Sequence, residues 1–152
     1  MQLAQLNIGV TRYANDDPRM AGFMDNLNRI NGLAARMPGF VWNMKDDSGH
    51  AMNMETPWPD AAANLTVWES VEDLEHFVWN TVHRKFYERK NEWFEPMAES
   101  HFVMWWIEDG HRPTLDEAKA RLDHLRAHGD SHEAFGWSHL PHVKLWQEKR
   151  CG

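Results

Sequence analysis

Residues 2–10 alternate, with Ala4, Leu6, Ile8 and Val10 on one side and Gln5 and Asn7 on the other. Successive side chains of a strand point to opposite faces, so this pattern predicts a half-buried β-strand. Asp16-Asp17-Pro18 then supplies an acidic cap and a proline suited to a first helical turn. Met20, Phe23, Met24, Leu27, Ile30, Ala34 and Met37 follow at helical spacing, and Pro38-Gly39 stops the helix. Residues 40–45 read as a second strand and Asp46-Asp47-Ser48-Gly49 as a turn. Residues 50–54 fit a return strand with Met52 and Met54 on one face, broken by Pro57-Trp58-Pro59. Residues 63–69 alternate again, placing Leu65 and Val67 on one face and Asn64, Thr66 and Trp68 on the other. Ser70-Val71-Glu72-Asp73 resembles a capping box that opens a second helix, with Leu74, Phe77, Val78, Val82 and Phe86 as its buried stripe. A loop holding Trp93, Phe94, Pro96 and Met97 leads to a last strand over residues 101–107.

The element order is therefore β-α-β-(β)-β-α-β, with a strand-helix-strand unit occurring twice, as in a ferredoxin-like sandwich. Helices would cover one sheet face. The other face still carries Trp and Met, and the expected cover is a second copy of the sheet in a two-fold homodimer. Thr114-Leu115-Asp116-Glu117 caps a further helix, whose stripe of Leu115, Ala118, Leu122 and Leu125 ends near Gly129. From Asp130 onward His132, Phe135, Trp137, Leu140, Leu145 and Trp146 follow without a period. The expected fold class is thus α+β: a ferredoxin-like dimeric α+β barrel with an appended C-terminal helix and an irregular arm. One domain would span residues 1–152, with a core over about 2–109 and the appendage over about 110–152.

Composition narrows the function. A formal charge of −7 over 152 residues leaves no basic excess to meet phosphates, which argues against a nucleic-acid or anionic-membrane partner. No window approaches the roughly 20 apolar residues of a membrane span, and no secretory signal is visible. The single cysteine, Cys151, has no internal disulfide partner, which fits a cytoplasmic location. Nine Trp, nine Met and ten His are the unusual features. They suit an aromatic-lined cavity, an apolar dimer interface or simply a bulky core.

At Asn64-Leu-Thr-Val-Trp-Glu-Ser-Val-Glu-Asp-Leu a strand runs at once into a helix. This segment resembles the dimeric α+β-barrel superfamily that includes the antibiotic-biosynthesis monooxygenases. Within that superfamily the chain is similar to one bacterial family, the domain of unknown function numbered 3291. The resemblance rests on Leu3-Ala-Gln-Leu-Asn-Ile, Pro38-Gly-Phe-Val-Trp, Phe77-Val with His83 behind it, and Glu92-Trp-Phe. It continues through Trp105-Trp-Ile-Glu-Asp-Gly-His-Arg-Pro-Thr and Arg121-Leu-Asp-His-Leu-Arg-Ala-His-Gly, and spans about residues 2–136. The resemblance implies the fold. Its superfamily holds cofactor-independent oxygenases, haem-degrading and haem-dependent enzymes, isomerases and dehydratases, so fold alone does not choose a reaction.

The residues suggest candidates. Asn64, Thr66 and Trp68 share one face of their strand, and Gln5 and Asn7 one face of theirs, a few polar groups among apolar ones as in small-molecule pockets. The plainer alternative is that Asn7 and Asn64 bond each other or loop backbone and only fix the sheet. His83 stands four residues from both Trp79 and Tyr87 and suits a general base at a barrel mouth, or a histidine in a partly exposed helix turn. His101 opens the last strand on the alternation of Val103, Trp105 and Ile107 and would pair with His83, or be an edge histidine. His111 reads as a turn residue holding the appended helix. His124, His128 and His132 recur at intervals of four, but Gly129 ends the helix before His132, so an exposed polar face is expected over a metal site. For haem, His83 and then Tyr87 are the axial candidates, with Arg84 and Arg89 as undistinctive propionate partners. No glycine-rich strand-to-helix fingerprint points to a flavin or nicotinamide.

The expectation is a small-molecule enzyme without a bound redox cofactor, monooxygenase-like, acting on a hydrophobic or aromatic substrate. Catalysis would fall to His83, Asn64 and His101, and the pocket to Asn7, Trp42, Trp68, Tyr87, Trp93 and Trp105. The contrasting expectations are a non-catalytic binding or structural dimer and a haem-binding barrel.

Overall fold

In a computed structural model, residues 1–45, 55–58, 61–81 and 83–140 are described. Strands β1 (Gln2–Val10), β2 (Phe40–Asn43), β3 (Ala61–Trp68) and β4 (Phe102–Ile107) form one antiparallel sheet in the order β2-β3-β1-β4. The central pair runs in register from Leu3↔Trp68 to Val10↔Ala61, and β4 joins β1 from Gln2↔Ile107 to Asn7↔Phe102. Helices α1 (Ala21–Arg36) and α2 (Val71–Asn80) complete the two β-α-β units of a ferredoxin-like α+β sandwich. The short α3 (His83–Glu88) and the appended α4 (Leu115–His128) follow.

Local chemistry accounts for the boundaries. Asp17 caps the turn ahead of α1, its Oδ1 accepting the Arg19 amide at 2.8 Å. Ser70 Oγ accepts the Asp73 amide at 3.2 Å and Thr114 Oγ1 the Glu117 amide at 3.1 Å, so both boxes read from the sequence cap their helices. Gly129, at φ +75°, ends α4 by donating its amide to the Leu125 carbonyl at 2.8 Å.

One expected helix is two. Thr81 is extended at φ −121°, ψ −176°; its hydroxyl donates to the Phe77 carbonyl at 2.6 Å and accepts the His83 amide at 3.2 Å. This side-chain bonding ends α2 and lets the chain restart as α3. The stripe from Trp79 through His83 to Tyr87 is therefore split, although the Trp79 and Tyr87 rings still meet edge-on at 5.0 Å. Val82, the turn at 46–49, the return strand at 50–54, and Leu145, Trp146 and Cys151 lie outside the described residues.

The two sheet faces are covered differently from the expectation. Ala4, Leu6, Leu65, Val67, Val103 and Trp105 share one face and pack with Ala118, Leu122 and Leu125 of α4. Each of those six strand residues is at most 1% exposed within the single chain. The inference that a second copy must shelter this face is thus corrected: the stripe of α4 lies on it. A fully buried leucine such as Leu122 contributes about 2 kcal/mol. The described start of the arm is tied to the sheet: Met104 and Phe135 exchange backbone hydrogen bonds of 2.8 and 3.0 Å along the outer edge of β4.

Candidate active site

Leu3, Gln5 and Asn7 of β1 and Asn64, Thr66 and Trp68 of β3 point away from α4, toward the layer built by α1 and α2. Helices and sheet do not meet everywhere. A hollow of about 420 Å³ remains between them, floored by Gln5, Asn7, Asn64, Thr66 and Trp68. Phe23 and Leu27 of α1 form one wall, Phe77, Val78 and His83 a second, and Tyr87, Trp93 and Phe94 a third. This volume lies in the range of small-molecule sites, and its lining of apolar rings with a few polar groups matches their composition. The hollow sits between sheet and helices, not in a barrel between two sheets, because strand alternation turns the polar face toward α1 and α2.

The floor carries a hydrogen-bonded network. Gln5 Nε2 donates to Asn64 Oδ1 and to Thr66 Oγ1, each at 2.7 Å, and Trp68 Nε1 donates to the same Thr66 oxygen at 2.9 Å. Asn7 and Asn64 stand opposite each other in register and are exposed, whereas Gln5, Thr66 and Trp68 are buried. The polar floor therefore runs from an open mouth to a closed end. At that end Phe40 meets Trp68 edge-on at 5.5 Å, Trp68 stacks on Phe77 at 5.4 Å, and Phe77 touches the His83 ring at 4.9 Å.

His83 lines the hollow from the first turn of α3. Its Nδ1 lies 3.3 Å from the Val78 carbonyl oxygen. A carbonyl only accepts, so this contact requires the Nδ1–H tautomer and leaves Nε2 with its lone pair. Burial pushes the His83 pKa below its ordinary value, and the Val78 carbonyl partly opposes that. His101 lines the hollow from the other side, just before β4, its carbonyl accepting the Ile8 amide at 2.9 Å. Its pKa is lowered by partial burial and by the nearby charges of Lys90 and Arg126, with a backbone hydrogen bond to Glu99 acting the other way.

Of the residues singled out from the sequence, Asn7, Asn64, Trp68, His83, Tyr87, Trp93 and His101 are brought together around this hollow. Trp42 and Trp105 are not. Trp42 pairs with Val67 and Trp105 with Ala4, which puts both on the opposite face, and Trp105 Nε1 donates to Glu117 Oε2 of α4 at 2.9 Å. His101 faces the hollow although Val103 and Trp105 do not, because it precedes the regular alternation of β4. His111 holds the appended helix, with Nε2 2.6 Å from Glu117 Oε1. The His124 and His128 rings meet at a tilt with centroids 4.7 Å apart, and His124 Nε2 meets Glu133 Oε2 at 2.9 Å, while His132 packs on His139 instead. Among the described residues no three His, Cys, Asp or Glu side chains converge as a metal site. Arg84 and Arg89 are engaged on the surface by Glu88 at 2.8 Å and Glu92 at 2.6 Å.

Several lining residues were not identified from the sequence as site residues. Phe23, Leu27 and Phe86 read as the apolar stripes of their helices and Phe40 as the start of a strand, yet each is only partly buried and borders the hollow. Trp137, from the arm, stacks on Phe102 at 5.6 Å and meets Trp79 at 6.4 Å, closing one side. Trp79 Nε1 is buried without a hydrogen-bond partner among the described residues.

Among solved structures, a conserved protein from Methanosarcina mazei Go1 superposes with a TM-score of 0.51 at 11% identity, over 71% of this chain and 94% of its own. SnoaB, a cofactor-independent oxygenase from Streptomyces nogalater, gives 0.47 at 16% identity, over 76% and 98%. The first supports the fold; neither speaks to activity. No helix among the described residues is long and apolar enough to cross a membrane. None of the curated proteins matches the chain significantly. The family model described as "Domain of unknown function (DUF3291)" matches residues 2–151, and the chain belongs to that family.

Proposed function

We propose that this chain is an enzyme acting on a small hydrophobic, aromatic molecule held in the hollow, with His83 as its general base. The observation that carries this reading is the Nδ1 contact of His83 with the Val78 carbonyl, within an aromatic wall. That contact fixes the Nδ1–H tautomer and leaves Nε2 as the basic nitrogen, while burial, which lowers the pKa against the opposing pull of the Val78 carbonyl, keeps the base deprotonated at neutral pH. Asn64 is suited to orienting a substrate oxygen: Gln5 occupies its Oδ1, and its amide hydrogens remain as donors toward the ligand. His101, across the mouth, is the second group able to give or take a proton.

The reaction class that best suits a base in an aromatic hollow is oxygenation of an activated methylene or phenol. His83 removes a proton, and the resulting carbanion or phenolate is electron-rich enough to react with dioxygen itself. For an activated methylene, one dioxygen converts the methylene to a ketone and releases one water. Both methylene C–H bonds and the O–O bond break; one oxygen atom ends in the carbonyl and the other in the water. All the electrons come from the substrate. Anthrone, whose methylene is acidified by two rings and a carbonyl, is a suitable probe. Oxygen uptake with anthrone should exceed the uncatalysed rate in the native protein and return to it in His83→Gln. Binding of anthrone with no acceleration in the native protein would instead favour a non-catalytic binding domain.

A further inference from the structure

Among the described side chains around the hollow only two are formally charged at neutral pH, Lys90 and Glu95, and they differ in one respect. Glu95 is neutralised by Arg12, whose Nη1 lies 3.3 Å from Glu95 Oε2. Lys90 has no carboxylate within ion-pair distance among the described residues. Its Nζ sits instead 4.0 Å from the centroid of the Tyr87 ring. The sequence explains the placement: Tyr87 and Lys90 are three residues apart where α3 passes into a 3-10 turn at Lys90–Glu92, so the two side chains lie one above the other. A cation over an aromatic face is held in place without being neutralised. The half-buried Lys90 charge also acts on His101, another lining residue, which places it electrostatically at the mouth.

We propose that the ligand of this hollow is an aromatic acid, with an apolar ring system against Trp68, Phe77 and Trp93 and a carboxylate paired with Lys90, and that Lys90 sets the preference for the anion over its neutral counterpart. This rests on the hollow being a small-molecule site, and adds the charge of what it holds. The chain as a whole is anionic, with a formal charge of −7, so long-range attraction does not account for such a preference. It has to come from a local cation. The hydrogen-bonded floor is neutral and orients without selecting for charge.

The test is calorimetric titration of the full chain with 2-naphthoate and with its neutral amide, 2-naphthamide, at pH 7.5. The native protein should bind the acid about tenfold more tightly than the amide, the effect of one charge-assisted hydrogen bond. Lys90→Met should lose that preference and bind the amide as before, and Lys90→Arg should keep it. Equal affinity of the native protein for acid and amide would overturn the charge assignment while leaving the hollow a binding site. So would a Lys90→Met variant that still prefers the acid. Failure of the native protein to bind either compound would overturn both the assignment and the site.

Discussion

His83 Nδ1 lies 3.3 Å from the carbonyl oxygen of Val78, five residues earlier and on the other side of the Thr81 break. The break is what makes the contact. In an unbroken helix the Val78 carbonyl would accept the amide four residues on, at Val82. With α2 ended at Asn80, the Val78 oxygen meets the imidazole and sets its tautomer.

A pH prediction follows from the same burial. The His83 pKa lies below 6.5 through burial, the Val78 carbonyl opposing, and that of His101 lies below 6.5 through burial and the charge of Lys90. As pH falls through 6.5 the unfolded chain takes up these protons before the folded chain does, so folding stability falls. The loss levels off once the folded histidines are protonated as well. The thermal midpoint should therefore drop between pH 7.5 and 5, and drop less in His83→Gln, which can still donate to Val78. Identical pH slopes in the two proteins would contradict the assignment.

Thr66 is the shared acceptor of the floor. Thr66→Val removes the oxygen that receives Trp68 Nε1 and leaves that buried indole donor without its partner. The cost should be about 1–3 kcal/mol by denaturant unfolding, whereas Thr66→Ser, which keeps the oxygen, should retain most of the stability. Equal losses would mean that the methyl group, not the hydroxyl, is what matters.

Gly39 turns the chain from α1 into β2 at φ +83°, and its carbonyl accepts the Glu69 amide at 2.7 Å. A Cβ at this position would collide with the Asp73 carboxylate, which accepts a hydrogen bond from Ser70 Oγ at 2.9 Å. Gly39→Ala should therefore cost at least about 2 kcal/mol, combining left-handed backbone strain with damage to the α2 cap. An unfolding midpoint near that of the native protein would refute this.

Gly9 has a different role. A Cβ there would stand 2.7 Å from Phe94 Cδ1, and Phe23 meets the same Phe94 ring edge-on at 5.1 Å. Gly9→Ala should push the Phe94 ring into the hollow and weaken binding of 2-naphthol by about tenfold, as judged by titration, with the fold retained. Unchanged affinity would mean that Phe94 does not border the bound ligand.

Much of the fold was legible because periodicity records burial directly. The strand at 2–10, the caps at Ser70 and Thr114 and the stop at Gly129 stand where the pattern put them. The lining of the candidate site was legible in part. Alternation grouped Gln5 with Asn7 and Asn64 with Thr66 and Trp68, but it does not say which layer a face looks toward. Placing the hollow therefore required knowing that α4 covers Leu6, Val67 and Trp105. Trp42 and Trp105 stand on the face away from the hollow for that reason, and an aromatic residue reads alike on either face. Thr81 hid a helix break, because a threonine bonding back to the carbonyl four residues earlier leaves the surrounding apolar spacing intact.

On the proposed function, a small aromatic molecule occupies the hollow with His83 against it. Titration of the protein with 2-naphthol, followed through the histidine side-chain NMR resonances, tests this most directly, with the His83 signals identified by their absence from His83→Gln. The His83 and His101 resonances should shift saturably with one common dissociation constant, with little movement of His124 or His128. Saturable binding that leaves His83 unmoved, or no binding at millimolar 2-naphthol, would contradict the proposed function.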